Sequence, residues 1–455
     1  MPVALGRKAR TAIIAVAMAA VLVTAGIGLI VSMSGGNNAS SEKLQVVASF
    51  YPLYYFSSQI GGDRASVSQI IPDGVDPHAF EPSPSDVAKV EQANVLVYNG
   101  FSFEPWMGAF LGAVDNPGLV TVDTSVGVPS LLSDTVVQEY TIGQEALQHG
   151  INQSATASAT LAGAPTVSIN GTVLDVKLPI MEGGYGGYVN VTCAEEGDHT
   201  AFSTNATTYQ LLYPNGTAVG IELGVGQLSQ YPEFNSSERY DIPVGPYTLK
   251  IGPGPVNETT IVLVAIPPEV VEPGAPEHHH GLYDPHIWVD PVDAKIQVHN
   301  ILNGFEQADP TNATYYQENA ASLYARLDAL NQDFVVGLQN RTKNVIITTH
   351  EGFDYMAQQY GFQAYGATGV WADSEPSAQA IAALADAVRH YDLHYVFSEP
   401  VYNDAVIQTI ASETGTQVLV LDGIHGRVGV HAGWDYFQIM EDNLKNLKIG
   451  LEVTT

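Results

Sequence analysis

The apolar positions change their spacing twice along the chain. After a polar stretch (Asn37 to Lys43), "LQVVASF" and "VSQII" are short apolar runs of the kind that form buried strands. "SPSDVAKVEQA" then reads as a helix, capped by Ser83 or Ser85 with Pro84 in its first turn, and "NVLVYNG" as a further strand. Strands alternating with helices at this distance predict a parallel sheet. From about Ser130 the helical period disappears. "TVSINGTVLDVKL", "GYVNVTC", "TYQLLYPNGTAVGIEL", "YDIPVGPYTLKIG" and "TTIVLVAIP" are short strand-like stretches between Gly, Pro and Asn, and "PNGT" is a hairpin turn signal. This texture predicts a sandwich-like, all-β insertion over residues 131–276, ending in the proline-rich "PPEVVEPGAPE". "GGYGGY" (183–188) reads as a loop, since it lacks the strand–helix context of a phosphate-binding turn.

The α/β texture then returns. Tyr316, Ala320, Leu323, Leu327, Leu330, Phe334 and Leu338 recur at spacings of three and four, behind Asp309 as cap and Pro310. A helix over 310–340 would run roughly 45 Å and could brace two lobes. Beyond it come the strand "NVIITT", helices around "GFDYMAQQYG" and "EPSAQAIAALADAVRHY", the strand "HYVFS", the helix "YNDAVIQTIASETG", the strand "QVLVLD" and a closing amphipathic helix. The expected fold class is α/β, two Rossmann-like lobes with a long rigid helix between them and an inserted β domain. Its segments are 1–43 (leader), 44–130 and 277–308 (first lobe), 131–276 (insert), 309–342 (helix) and 343–455 (second lobe).

Composition places this fold outside the cytoplasm. Arg7, Lys8 and Arg10 precede an uncharged run from Thr11 to Gly36, the layout of a secretory signal or a membrane anchor. No cysteine follows it to carry a lipid, and the lone Cys193 forms no intrachain disulfide. Ten Asn-x-Ser/Thr tripeptides occur, and seven of them, from Asn152 to Asn257, fall in the β segment, which makes N-glycans expected there. With 48 acidic against 17 basic residues the formal charge is -31, which disfavours nucleic acid and favours a cation as partner.

The candidate chemistry follows from where the strands end. "NVIITT" runs into His350, "HYVFS" into Glu399 and "QVLVL" into Asp422, and open parallel sheets bind ligands at the carboxyl ends of their strands. His78 follows "VSQII", and His286 sits in the proline-bounded "DPHIWVDP". Three neutral imidazoles and a carboxylate suit tetrahedral Zn²⁺, while a carboxylate-rich set would lean toward Mn²⁺. Imidazoles must be deprotonated to bind, so affinity is expected to fall as pH drops through histidine's range. His149, His199, His299, His390, His394, His425 and His431 read as surface or packing residues, and Trp106 and Trp288 as core or lobe-interface residues.

In this order, "DGVDPHAFEPSPSDV", "DPHIWVDP", "THEGFDYMAQQYGF", "EPSAQAIAALADAVR" and "VLVLD" resemble the zinc and manganese solute-binding proteins of ABC transporters, the ZnuA/TroA-like family. The likeness covers residues 44–129 and 281–453. It implies two lobes joined by a long helix with metal in the cleft between them, a membrane permease as partner, and no enzymatic activity. By position it makes His78, His286, His350 and Asp422 the ligands and Glu399 a residue behind the ligands or an alternate one. Manganese-type relatives tend to carry Glu where this chain has His350, which favours zinc. His278, His279 and His280 resemble a shortened metal-collecting loop. A manganese receptor, a surface adhesin using the β insert and a zinc hydrolase are the alternatives, and a single chain is expected to suffice.

Overall fold

The computed structural model describes residues 43–169, 171–194, 196–266, 282–369, 376 and 378–454. The leader run and His278, His279 and His280 lie outside the described residues, and among those described no helix is long and apolar enough to cross a membrane.

The N-terminal part is a four-stranded parallel sheet. β1 (Leu44–Ala48), β2 (Ala65–Gln69), β3 (Val95–Tyr98) and β4 (Val120–Asp123) are ordered β2-β1-β3-β4. α1 (Tyr51–Gly61) and α2 (Pro84–Glu91) follow β1 and β2, and α3 (Met107–Ala113) follows β3. α2 starts where its sequence directs: Ser83 and Asp86 form a reciprocal capping box, with Pro84 in the first turn.

The segment read as purely β opens instead with a helix, α4 (Asp134–His149). Its apolar face is thin: Val136, Tyr140 and Ala146 are buried, and Gly143 interrupts them. That glycine permits contact, because a Cβ there would lie 2.8 Å from the Phe202 ring. The strands that follow are β5 (Ile151–Thr156), β6 (Thr166–Ile169), β7 (Thr172–Lys177), β8 (Ile180–Met181), β9 (Gly184–Cys193), β10 (Gly197–Ser203), β11 (Tyr209–Leu212), β12 (Leu223–Val225), β13 (Ser236–Ile242), β14 (Gly245–Gly254) and β15 (Glu258–Ala265). They form a six-stranded sheet, β12-β13-β10-β15-β7-β5, and a five-stranded one, β11-β14-β9-β6, with β8 beside β9.

One apolar cluster joins residues of both sheets, among them Val176, Ala201 and Leu263 from the first and Val189, Val191 and Leu249 from the second. A separate cluster holds Phe202, Val262 and Val264 against α4. β15 is therefore buried on both faces, which is why "TIVLVA" is continuously apolar rather than alternating. "GGYGGY", read as a loop, instead includes the start of β9, where Gly186 and Gly187 pass so near other backbone that a Cβ would lie 2.7 Å and 2.9 Å from a carbonyl oxygen.

After the β region the chain returns to the N-terminal part with α5 (Pro291–Ala308), which packs against β3 and β4 and whose cap Asp290 accepts from the Val292 amide. α6 (Ala313–Gly337) is the long helix. It is shorter than 310–340 because 310–312 is a 3-10 turn, and its 25 residues span about 37 Å. Tyr316, Ala320, Leu323, Leu327, Leu330 and Phe334 are its buried stripe. They belong to an apolar cluster that runs from Val46 and Phe50 of the N-terminal part to Phe437 and Leu447 near the C-terminus. α7 (Asp354–Tyr360), α8 (Ala378–His390), α9 (Ala405–Thr414) and α10 (Tyr436–Gly450) accompany two parallel strand pairs, β16 (Val345–His350) with β17 (Gln363–Thr368) and β18 (Tyr395–Ser398) with β19 (Gln417–Val420).

Candidate metal centre

Four histidines meet between these parts. His78, His286, His350 and His425 each turn one ring nitrogen toward the others, all within 4.8 Å. His286 Nε2 lies 3.3 Å from His78 Nε2 and 3.1 Å from His350 Nε2. Nitrogens at about 2.05 Å from a tetrahedral zinc ion would stand about 3.3 Å apart. All four side chains are buried, His78 the least so at 9% exposure.

Two of them stand on the same tripeptide. In Asp76-Pro77-His78 and Asp284-Pro285-His286 the aspartate Oδ1 accepts the histidine's own backbone N–H, at 3.0 Å and 2.9 Å. Proline stiffens the turn between them. Asp284 Oδ1 also lies 2.8 Å from His286 Nδ1, and Glu399 Oε1 lies 2.7 Å from His350 Nδ1 while accepting the His350 amide at 3.1 Å. A carboxylate at Nδ1 places the proton there and leaves Nε2 as the free donor facing the centre. Glu399 thus sits behind His350, outside the four-nitrogen set.

Asp422 is not among the converging side chains. Its Oδ1 accepts the Ile424 amide at 2.7 Å, and its Oδ2 lies 2.7 Å from His431 Nδ1. His431 also reaches Asp442 at 3.2 Å. Hydrogen bonds to Asp422 and Asp442 hold the His431 imidazole above its ordinary pKa against the opposing effect of burial. The turn that Asp422 caps passes through Ile424 at a φ of 58° and delivers His425, read from sequence as a packing residue, to the centre. Neither His425 ring nitrogen has a hydrogen-bond partner among the described residues. A buried imidazole without a partner suits a ligand position. The available signal was proximity: His425 lies within one turn of a strand that ends at the ligand-binding edge of its sheet.

Small and aromatic residues shape the surroundings. A Cβ on Gly352 would lie 2.4 Å from His350 Nε2, so only glycine lets that loop cross the centre. Phe103 meets the His78 ring edge-on at 5.1 Å, Tyr402 lies 4.7 Å from His350, and Trp288, fully buried, stands 5.5 Å from His425 and donates to the Gly423 carbonyl at 2.6 Å. Burial, followed by the neighbouring imidazoles, pushes His78 and His425 well below the ordinary pKa of histidine. Burial and His350 do the same to His286. Three of the four rings, His78, His286 and His425, are thereby held neutral.

Residues 46–450 match the family described as ZnuA, the periplasmic component A of the zinc-uptake complex. The chain belongs to the ZnuA family. This family consists of extracytoplasmic binding proteins rather than enzymes. Among curated relatives, the high-affinity zinc uptake system protein ZnuA of Bacillus subtilis is 25% identical over 424 residues, covering 93% of this chain and 92% of its own. The zinc-binding protein AdcA of Streptococcus pyogenes serotype M3 is 24% identical over 413 residues, 90% of this chain but only 56% of its own length. The chain thus spans little more than half of the AdcA proteins it matches. Two solved structures share the fold at a TM-score of 0.52. The Zn(II)-bound ZnuA-like domain of Streptococcus pneumoniae AdcA is 20% identical, with 90% of this chain and 100% of that one covered. The metal-dependent lipoprotein YcdH of Bacillus subtilis is 22% identical, with coverage of 90% and 99%.

Proposed function

We propose that this protein is an extracytoplasmic receptor that captures a zinc ion and delivers it to the permease of an ABC-type importer. The observation that carries this reading is the buried set of four imidazole nitrogens converging within 4.8 Å, with His286 at 3.3 Å from His78 and 3.1 Å from His350, the separation a tetrahedral zinc ion asks of its ligands. Neutral nitrogen donors suit Zn²⁺, and the absence of a carboxylate from the set weighs against Mn²⁺, which prefers oxygen. The N-terminal part supplies His78, the "DPH" loop before α5 supplies His286, and the C-terminal part supplies His350 and His425. The two parts act as lobes of a clamp, with α6 as the brace that limits their motion to a small tilt. Zinc first meets His78 and His286 and then gathers His350 and His425 as the lobes close. Four occupied donors leave no open position for a reacting water, unlike the three-ligand arrangement of zinc hydrolases. The formal charge of -31 raises the local concentration of cations around the mouth of the site, and the basic-then-apolar leader holds the receptor outside the cytoplasm.

Competitive titration of zinc and manganese against a chromophoric chelator tests the assignment. One zinc bound per chain, with manganese at least about a thousandfold weaker, supports it. Equal affinity for the two ions overturns it.

A further inference from the structure

The β region leaves and rejoins the α/β frame beside the imidazoles. Its outgoing and returning segments run antiparallel there. Leu132 bridges Tyr283, the Ser133 amide donates to the Leu282 carbonyl at 3.1 Å, and the Asp284 amide donates to the Leu131 carbonyl at 3.0 Å. Asp284 is the residue whose carboxylate holds His286 by backbone and ring. The stem of the β region is thus bonded directly to a residue that orients a metal donor.

One phenol fastens this stem to the C-terminal part. Tyr355 Oη donates to the Asp284 carbonyl at 3.1 Å and accepts from the Leu131 amide at 3.3 Å, and the side chain is 3% exposed. Tyr355 lies in the first turn of α7, the helix that follows the His350 loop. On the outer side of the stem an open groove of about 480 Å³ separates Leu132, Val137 and Tyr231 of the β region from Ala357, Phe362 and Tyr365. Across this groove the β region is not packed solidly onto α7, so its displacement relative to the frame is transmitted through the stem.

We propose that Tyr355 is a positioning residue that couples the β region to metal capture. While the phenol bridges Asp284 and Leu131, the stem, the His286 turn and α7 move as one body. When it does not, His286 loses its register against His350. This rests on the metal-receptor reading. Coupling between sites is reciprocal, so metal in the centre orders the stem, and a partner that holds the β region still tightens the grip on metal.

The test compares the full chain with Tyr355→Phe, which keeps the ring and its packing and removes only the hydroxyl. Zinc release into excess chelator is timed, and hydrogen exchange at the Leu131, Ser133 and Asp284 amides is followed with and without zinc. In the natural chain zinc slows exchange at all three amides. In the variant that slowing vanishes at Leu131 and Ser133, and zinc leaves about three- to tenfold faster, the range expected for a lost net hydrogen bond. A phenol that merely fills space would alter neither. Leu131→Pro, which removes the amide and leaves the phenol, is read by the zinc release rate and by exchange at Ser133 should Tyr355→Phe fold poorly. Release at the natural rate, or faster release with the stem still slowed by zinc, overturns the coupling and leaves the receptor reading standing. A natural chain that holds no zinc overturns both.

Discussion

His425 and Asp422 lie three residues apart and do different work, so paired substitutions separate them. His425→Ala removes one of four nitrogens from a buried centre. Zinc binding to four-ligand protein sites is worth about 10–16 kcal/mol, so an even quarter is about 2.5–4 kcal/mol. At 1.4 kcal/mol per decade, affinity falls about 60- to 700-fold. Fold stability without metal should hold, because the lost ring has no hydrogen-bond partner among the described residues. Asp422→Asn does the reverse. It weakens a contact to His431 in which the two side chains are 4% and 0% exposed, and breaking such a buried pair costs about 3 kcal/mol. Zinc affinity should change by less than about tenfold, the low end for residues that support ligands. Competition against a chelator reads the first effect and urea unfolding of the metal-free protein reads the second. Loss of zinc in Asp422→Asn alongside natural affinity in His425→Ala would refute the four-imidazole centre.

Gly352→Ala places a methyl where the His350 ring nitrogen stands and should weaken zinc binding by at least about a hundredfold, with far-UV circular dichroism unchanged; an unaltered titration would show that the loop can step aside. Because burial holds His78, His286 and His425 below their ordinary pKa, the unfolded chain takes up protons that the metal-free folded chain refuses. Metal-free stability should therefore fall as pH drops below about 6.5, and protons should compete with zinc at these three rings in a lower window than the ordinary histidine range expected from sequence. Urea midpoints and chelator titrations from pH 8 to 5 check both, and flat stability would count against neutral burial. His431 has the opposite sign: its raised pKa gives stability that is fully present below about 6.5 and is lost as pH rises through its folded value, so His431→Asn should flatten the alkaline limb of the stability profile. In the β region Arg239, 1% exposed, is paired with buried Glu139 of α4. Arg239→Met strands that carboxylate and should cost about 3–5 kcal/mol, measured by urea unfolding; a change below about 1 kcal/mol would mean that the pair carries no weight.

Much of the α/β frame was legible because its signals are local. A buried parallel strand is a short apolar run, the brace announces itself by seven residues on one stripe, and proline on either side of His286 marks a rigid turn. What escaped depends on partners distant in sequence. α4 has a sparse stripe because Gly143 lies against Phe202, which is fifty-nine residues away. β9 begins with glycines because neighbouring backbone leaves no room for side chains. The convergence of His425 rather than Asp422 with the other imidazoles is tertiary for a related reason. Asp422 ends its strand at the expected edge, yet an Asx turn and a left-handed Ile424 carry the chain back so that His425, not the carboxylate, faces the other imidazoles. The pairing of Asp422 with His431 and Asp442 is likewise tertiary, and no spacing in the sequence encodes it.

X-ray absorption at the zinc edge of the loaded protein is the most direct test of the central claim. Four nitrogen neighbours at about 2.0–2.1 Å, with the outer-shell scattering of four imidazole rings, is the expected spectrum. Three imidazoles with a carboxylate oxygen, or a five- or six-coordinate oxygen-rich shell, would contradict it.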